Sequence, residues 1–192
     1  MAISAQPAGT GGNYVAQSSQ PGEDAAIPDI QGGRERGLIL HKLLEEVLTG
    51  ETAENISDLK DRASVLIDEL GQSAFEDAAQ GLSPDELASC VTRTLALPEI
   101  IALRPSLVPE YPVYAAIDIE GGEQATVGIT DATSFRPDGT PQVVIDWKSD
   151  VQPAPEMLDH YSAQVRNYLD MTGAERGLIV LVTTGEIHTV TS

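Results

Sequence analysis

Val143-Val144-Ile145-Asp146-Trp147-Lys148 is a run of strand formers that ends with an acid and a base two positions apart. Alternate side chains of a strand share a face, so Asp146 and Lys148 point one way while Ile145 and Trp147 point the other. An earlier segment, Gly128-Ile129-Thr130-Asp131, repeats the logic: Val127, Ile129 and Asp131 share a face, and an apolar strand ends in an acid. Between them, Arg136-Pro137-Asp138-Gly139-Thr140 supplies the turn that returns the chain alongside itself. The expectation is a β-hairpin that brings Asp131 near Asp146, register permitting.

An acid at the core-facing end of a strand is costly unless a charged partner or a metal offsets its desolvation. Mg²⁺ is a hard cation that prefers carboxylate oxygens and keeps several waters, which makes a divalent metal the natural guest. Two acids and a lysine on paired strands are the minimal apparatus of metal-dependent phosphodiester cleavage. Taken alone, however, Asp146 and Lys148 also describe a surface ion pair on an edge strand, and opposite charges on one strand face are ordinary. The residues around them have to decide between these readings.

A chain of 192 residues with 41% hydrophobic content is long enough for one domain with a sizeable core. No apolar run approaches the length of a membrane span, and the N-terminus has neither the basic start nor the apolar stretch of a signal peptide, so the chain reads as cytoplasmic with no membrane partner. The single cysteine, Cys90, falls with Leu87, Val91 and Leu95 at helical spacing and reads as a buried apolar filler. One thiol excludes an iron–sulfur cluster held by this chain's own cysteines. Thirty acids against 11 lysines and arginines give a net charge of −19, opposite to the footprint of a protein that grips nucleic acid by itself.

Residues 1–33 are rich in Gly, Ser, Gln, Ala and Pro without apolar periodicity, and read as a flexible linker or tail. The domain proper is expected over 34–192, with a helical part to 104 and a sheet with one helix from 105 onward. The spacing predicts helices over 34–49, with His41 beside the stripe of Leu40, Leu43, Leu44 and Val47, and over 57–70, with a short helical piece near 73–80. Ser83-Pro84-Asp85-Glu86 has the form of a capping box with proline at the first helical position, predicting a helix to about Leu97, and 98–103 adds one more turn. Strands follow near 107–119, 124–132 and 142–148, with Gly121-Gly122 as the first hairpin turn. A helix over 156–171 and a last strand pair, 176–183 and 186–190, complete an α/β or α+β order.

In the helix after the Asp-x-Lys strand, Tyr161, Gln164 and Tyr168 are spaced by three and four and line one face. The plain reading makes the tyrosines half-buried core residues and the glutamine solvated; the other turns Gln164 and Tyr168 toward the strand acids. His41 is likewise either a polar residue at a boundary or, as a neutral imidazole, a metal ligand.

Gly37-x-x-x-His41-x-x-Leu44-Glu45, then Glu110, Gly128-x-x-Asp131, Ile145-Asp146-Trp147-Lys148 and Gln164-x-x-x-Tyr168 occur in a distinctive order. In that order the chain resembles the RecB-type nuclease domain of the PD-(D/E)xK superfamily, and most closely the C-terminal nuclease domain of AddA-type helicase–nucleases, over roughly residues 34–192. The resemblance implies a restriction-endonuclease-like α/β core, with a central mixed β-sheet flanked by helices and a helical N-terminal region. It implies that His41, Asp131, Asp146 and the backbone carbonyl of Trp147 ligate Mg²⁺, with Mn²⁺ as a substitute. Lys148 would orient or activate the attacking water, Gln164 and Tyr168 would hold the site and the strand, and Glu110 would match an acid that precedes the strand meander. The implied substrate is DNA, as single-stranded ends delivered by a helicase motor domain or subunit of AddA/AddB type, in double-strand break repair. The chain has no Gly-x-x-x-x-Gly-Lys-Ser/Thr phosphate loop and so no ATP site of that kind. Two other classes remain open: a nuclease-like domain that serves only as a scaffold in a repair complex, and an acidic interaction module suggested by the charge alone.

Overall fold

The computed structural model describes residues 33–119 and 122–192, with the side chains of 115–126 also outside the description. The tail expected over 1–33 therefore lies outside the described residues except for Gly33, and so does Gly121 of the expected Gly121-Gly122 turn.

Four helices come first: α1 (Arg34–Thr49), α2 (Ile56–Glu69), α3 (Pro84–Leu95) and α4 (Pro98–Leu103). A 3₁₀ turn, Arg104–Ser106, leads into β1 (Leu107–Ile119), β2 (Gly122–Phe135) and β3 (Pro141–Lys148); α5 (Pro155–Thr172), β4 (Arg176–Leu181) and β5 (Glu186–Val190) follow. The sheet order is β1-β2-β3-β4-β5, with β3 and β4 parallel and the other pairs antiparallel. A parallel pair needs a long crossover, and α5 supplies it. The result is a mixed five-stranded sheet flanked by helices with a helical N-terminal region, consistent with the restriction-endonuclease-like α/β core expected from the sequence. No helix among the described residues is long and apolar enough to cross a membrane.

Both faces of the sheet are covered. On one, Leu40, Leu43 and Leu44 of α1 join Leu59, Ile67, Leu87 and Val91 against Ile145, Trp147, Leu178 and Val180. On the other, Val165 and Leu169 of α5 pack on Val144, Ile179 and Leu181. Strand β3 lies between the two clusters, which is why it reads as a nearly continuous apolar run. Gly177 of β4 makes the α5 contact close: a Cβ there would overlap Cγ1 of Val165.

Three local expectations differ from the fold. Residues 73–80 form no helix; Phe75 N–H donates to Leu82 O at 2.8 Å, and the Asp77 carboxylate accepts the Ala79 N–H at 3.0 Å, an Asx-type turn that competes with helix. The capping box at Ser83 does not form: Ser83 Oγ donates to Glu76 O at 3.3 Å, and Glu86 is taken by a stronger partner, Arg36. The face carrying Val127 and Ile129 is not a core face, since these residues are 62% and 53% exposed.

Candidate metal-dependent active site

The β2–β3 ladder pairs Ala132 with Ile145 and goes no further toward Asp131 and Asp146. Beyond that pair the strands fork. The Trp147 N–H, which a continued ladder would hand to the β2 backbone, donates instead to Oδ2 of Asp131 at 2.7 Å. Strand alternation breaks at the same place: Thr130 and Thr133, three apart, share a hydrogen bond at 2.7 Å, which a regular strand would forbid. Asp131 is thus turned into the fork as the substitute for a missing backbone acceptor, not delivered by simple parity from Val127 and Ile129.

Asp146 is 2% exposed. Burial pushes its carboxyl up to about 6; the Lys148 ammonium opposes that shift and the Asp131 charge adds to it. Lys148 Nζ lies 2.8 Å from Asp146 Oδ2, as strand parity predicts. Apart from that ammonium, no hydrogen-bond donor among the described residues reaches the buried Oδ2. His41, on α1, brings Nδ1 to 3.4 Å from Asp131 Oδ1. Burial disfavours the imidazolium, but the Asp131 hydrogen bond and charge outweigh it, and the His41 pKa is raised from its ordinary value.

The helix side is also assembled. Lys148 Nζ donates to Gln164 Oε1 at 3.3 Å, and Gln164 Nε2 donates to the Tyr168 hydroxyl at 3.3 Å. Gly128 admits Tyr168 to the sheet, because a Cβ there would come within 3.1 Å of the Tyr168 ring and 3.3 Å of Val113. Gly37 does the same for α1, where a Cβ would lie 3.1 Å from Ser149 Oγ. Both glycines of the sequence motifs are therefore points of close approach next to the site. Glu110 joins it electrostatically: desolvation first, then the charges of Asp131 and Glu45, raise its pKa. It is also the one non-glycine among the described residues with positive φ, at 49°.

Sequence reasoning missed three participants. Asp150 continues the alternation of Asp146 and Lys148, and accepts a hydrogen bond from the Tyr161 hydroxyl at 2.8 Å, while the Tyr161 ring lies 4.6 Å from Lys148 Nζ. Burial, then Asp150, push the Tyr161 hydroxyl above its ordinary pKa, which keeps it a donor. Arg36 is buried and pairs with Glu86 through Nη2–Oε1 at 2.6 Å and Nε–Oε2 at 3.2 Å, while its Nη1 donates to Ser149 O at 2.7 Å. It therefore fixes the backbone immediately after Lys148. Cys90, read as an apolar filler, belongs to this network too, since its thiol donates to Glu86 Oε1 at 2.8 Å. Burial, with Glu86 beside it, pushes that thiol up to about 12. The repetition at 146, 148 and 150 was the available signal for Asp150; nothing in one sequence pairs residue 36 with residue 86.

Among the described residues, no three His, Cys, Asp or Glu side chains stand gathered as a finished metal cage. The donor chemistry nonetheless fits a hard divalent cation: two carboxylates and an imidazole around a fork, with one buried carboxylate oxygen met by the lysine ammonium alone.

No family model matches the chain, and no curated protein matches it. A solved structure described as "Crystal structure of SSO0001" is similar over 83% of this chain and 79% of that one, at 23% identity and a TM-score of 0.42, a likeness too distant to bear on function or fold.

Proposed function

We propose that the chain is a metal-dependent DNA nuclease of RecB type, hydrolysing phosphodiester bonds in single-stranded ends that an AddA/AddB-like helicase motor delivers, during double-strand break repair in the cytoplasm. The observation that carries the reading is the convergence of Asp131, Asp146 and Lys148 at the β2–β3 fork, with His41 against Asp131. A surface ion pair would leave Asp146 solvated, whereas this acid is buried beside a second acid at a desolvation cost that structure alone does not require.

Asp131, Asp146, His41 and the Trp147 carbonyl would hold Mg²⁺ or Mn²⁺; a cation so bound lowers the pKa of water and neutralises phosphate charge. The rest is the work of the chain's own groups. Lys148 presents a fixed positive charge to the oxygens on which negative charge develops as the phosphorus is attacked, a contribution that is large where water is excluded. Gln164 accepts from the ammonium and is itself tied to Tyr168, so the charge is aimed before substrate arrives. The Trp147 N–H holds the Asp131 carboxylate turned inward. A net charge of −19 leaves the grip on DNA phosphates to the motor partner.

The test is cleavage of end-labelled single- and double-stranded DNA with Mg²⁺ or Mn²⁺, with and without a co-purifying helicase. Cleavage by the wild type and its loss in Asp146→Ala are expected; cleavage that survives the substitution unchanged removes the proposal.

A further inference from the structure

A lysine aimed at a reacting phosphate has a difficulty of its own. Its side chain is long and loses substantial rotamer entropy when fixed, so a stationary charge needs several restraints. Lys148 has three: Asp146 Oδ2 at 2.8 Å, Gln164 Oε1 at 3.3 Å and the face of the Tyr161 ring at 4.6 Å. The first is compromised by the proposed chemistry, because Asp146 Oδ2 is also an oxygen that a divalent cation would take. A carboxylate shared with a cation attracts an ammonium less. The aromatic face, in contrast, attracts a cation through its quadrupole and has no lone pair to lose to a metal.

The ring is itself held at both ends. Its Cα belongs to α5, and its hydroxyl donates to Asp150 Oδ2 at 2.8 Å on the segment that follows β3. Tyr161 thus spans from the crossover helix to the chain two residues beyond Lys148, with the ammonium over its face. A tyrosine that only filled core would leave its hydroxyl to solvent or to its own helix.

We propose that Tyr161 is a positioning residue for Lys148: its ring face keeps the ammonium in place when Asp146 is engaged by a cation. The catalytic meaning rests on the nuclease reading; the placement of the lysine does not.

The experiment exploits a chain with three lysines, Lys42, Lys60 and Lys148. In protein labelled with ¹³C at lysine Cε, the Lys148 signal is identified by its loss in Lys148→Arg. Its methylene protons should lie upfield of the other two through the Tyr161 ring current, and should remain upfield in Tyr161→Phe and on addition of Mg²⁺. In Tyr161→Leu they should join the other two. In the cleavage assay Tyr161→Leu should lower kcat about tenfold with KM held within about twofold, and Tyr161→Phe should restore most of the rate. A Lys148 signal that coincides with the other two in the wild type, one that Mg²⁺ moves to their position, or a Tyr161→Leu effect confined to KM, overturns the proposal. If Tyr161→Leu does not fold, the wild-type and Tyr161→Phe spectra decide alone. A wild type with an upfield Lys148 and no cleavage under any metal, with or without the co-purifying helicase, refutes the nuclease reading and leaves the ring–lysine contact standing.

Discussion

Asp131 accepts the Trp147 backbone N–H through Oδ2 at 2.7 Å while its Oδ1 faces His41 Nδ1 at 3.4 Å. One carboxylate both closes the open end of a β-ladder and faces the proposed cation site. These roles are separable by substitution. Asp131→Asn keeps an acceptor for Trp147 and should cost little stability, whereas Asp131→Ala leaves that amide without its partner and should cost about 1–3 kcal/mol in urea unfolding. Both should lose metal-dependent cleavage. Equal stability of the two variants would show that the amide does not depend on this carboxylate.

The same carboxylate should be visible at His41. Because the imidazole pKa is raised in the folded protein, its stabilising effect is present below the unfolded value of 6.5 and fades as pH rises through the higher folded one. NMR titration of His41 in metal-free protein should give a midpoint above 6.5 in the wild type and a lower one in Asp131→Asn. A midpoint that does not move contradicts the Asp131–His41 pairing.

Asp146 has the opposite consequence for a site acid. Its folded pKa of about 6 stands above the unfolded value of 3.8, so the folded state binds the extra proton and stability falls as pH rises across that window. In metal-free protein at pH 8, Asp146→Asn should be the more stable form by roughly 2–3 kcal/mol, a gap that closes as pH falls toward 4. Mg²⁺ should raise the melting temperature of the wild type and not of the variant. A variant less stable than wild type at pH 8 without metal would mean that the buried carboxylate is fully compensated by Lys148.

Arg36 and Glu86 form a largely buried pair, and Arg36 also holds Ser149 O just beyond β3. Removing one partner leaves an uncompensated buried charge, so Arg36→Leu should cost about 3–5 kcal/mol. The double variant Arg36→Leu, Glu86→Leu should recover much of that loss without recovering cleavage rate, because the tether to Ser149 stays broken. Chemical denaturation and single-turnover cleavage on the three variants separate the two effects.

Gly177→Ala is expected to cost about 1–3 kcal/mol by driving Val165 and α5 off β4. Combining it with Val165→Ala should relieve most of the strain, measured as recovery of the urea midpoint.

Much of the architecture was legible because it follows from local pattern. Leu40, Leu43, Leu44 and Val47 recur at helical spacing and are buried; Pro84 opens a helix; Gly173, in the left-handed conformation at φ 68°, closes α5; and the apolar run from Val143 becomes a strand covered on both faces. The alternation that placed Asp146 and Lys148 on one face is a property of any strand, and it held. At Ser83 the sequence misled because a non-local partner displaced a local one. Glu86 has the position of a capping-box acid, but a buried guanidinium 50 residues away offers a charged hydrogen bond stronger than a backbone amide can give.

The strand-by-strand order of the chain, the identity of its acids and lysine, and their shared strand face were thus determined by the sequence, because periodicity and turn chemistry act over a few residues. The fork between β2 and β3, the turning of Asp131 to Trp147, the burial of Asp146, the Tyr161 ring over Lys148 and the tether from Arg36 to Ser149 were decided only by the tertiary structure. Each depends on which surfaces pack together, and packing sets desolvation. A carboxylate that is ionised freely in water becomes, once buried beside another, a group whose charged form is disfavoured.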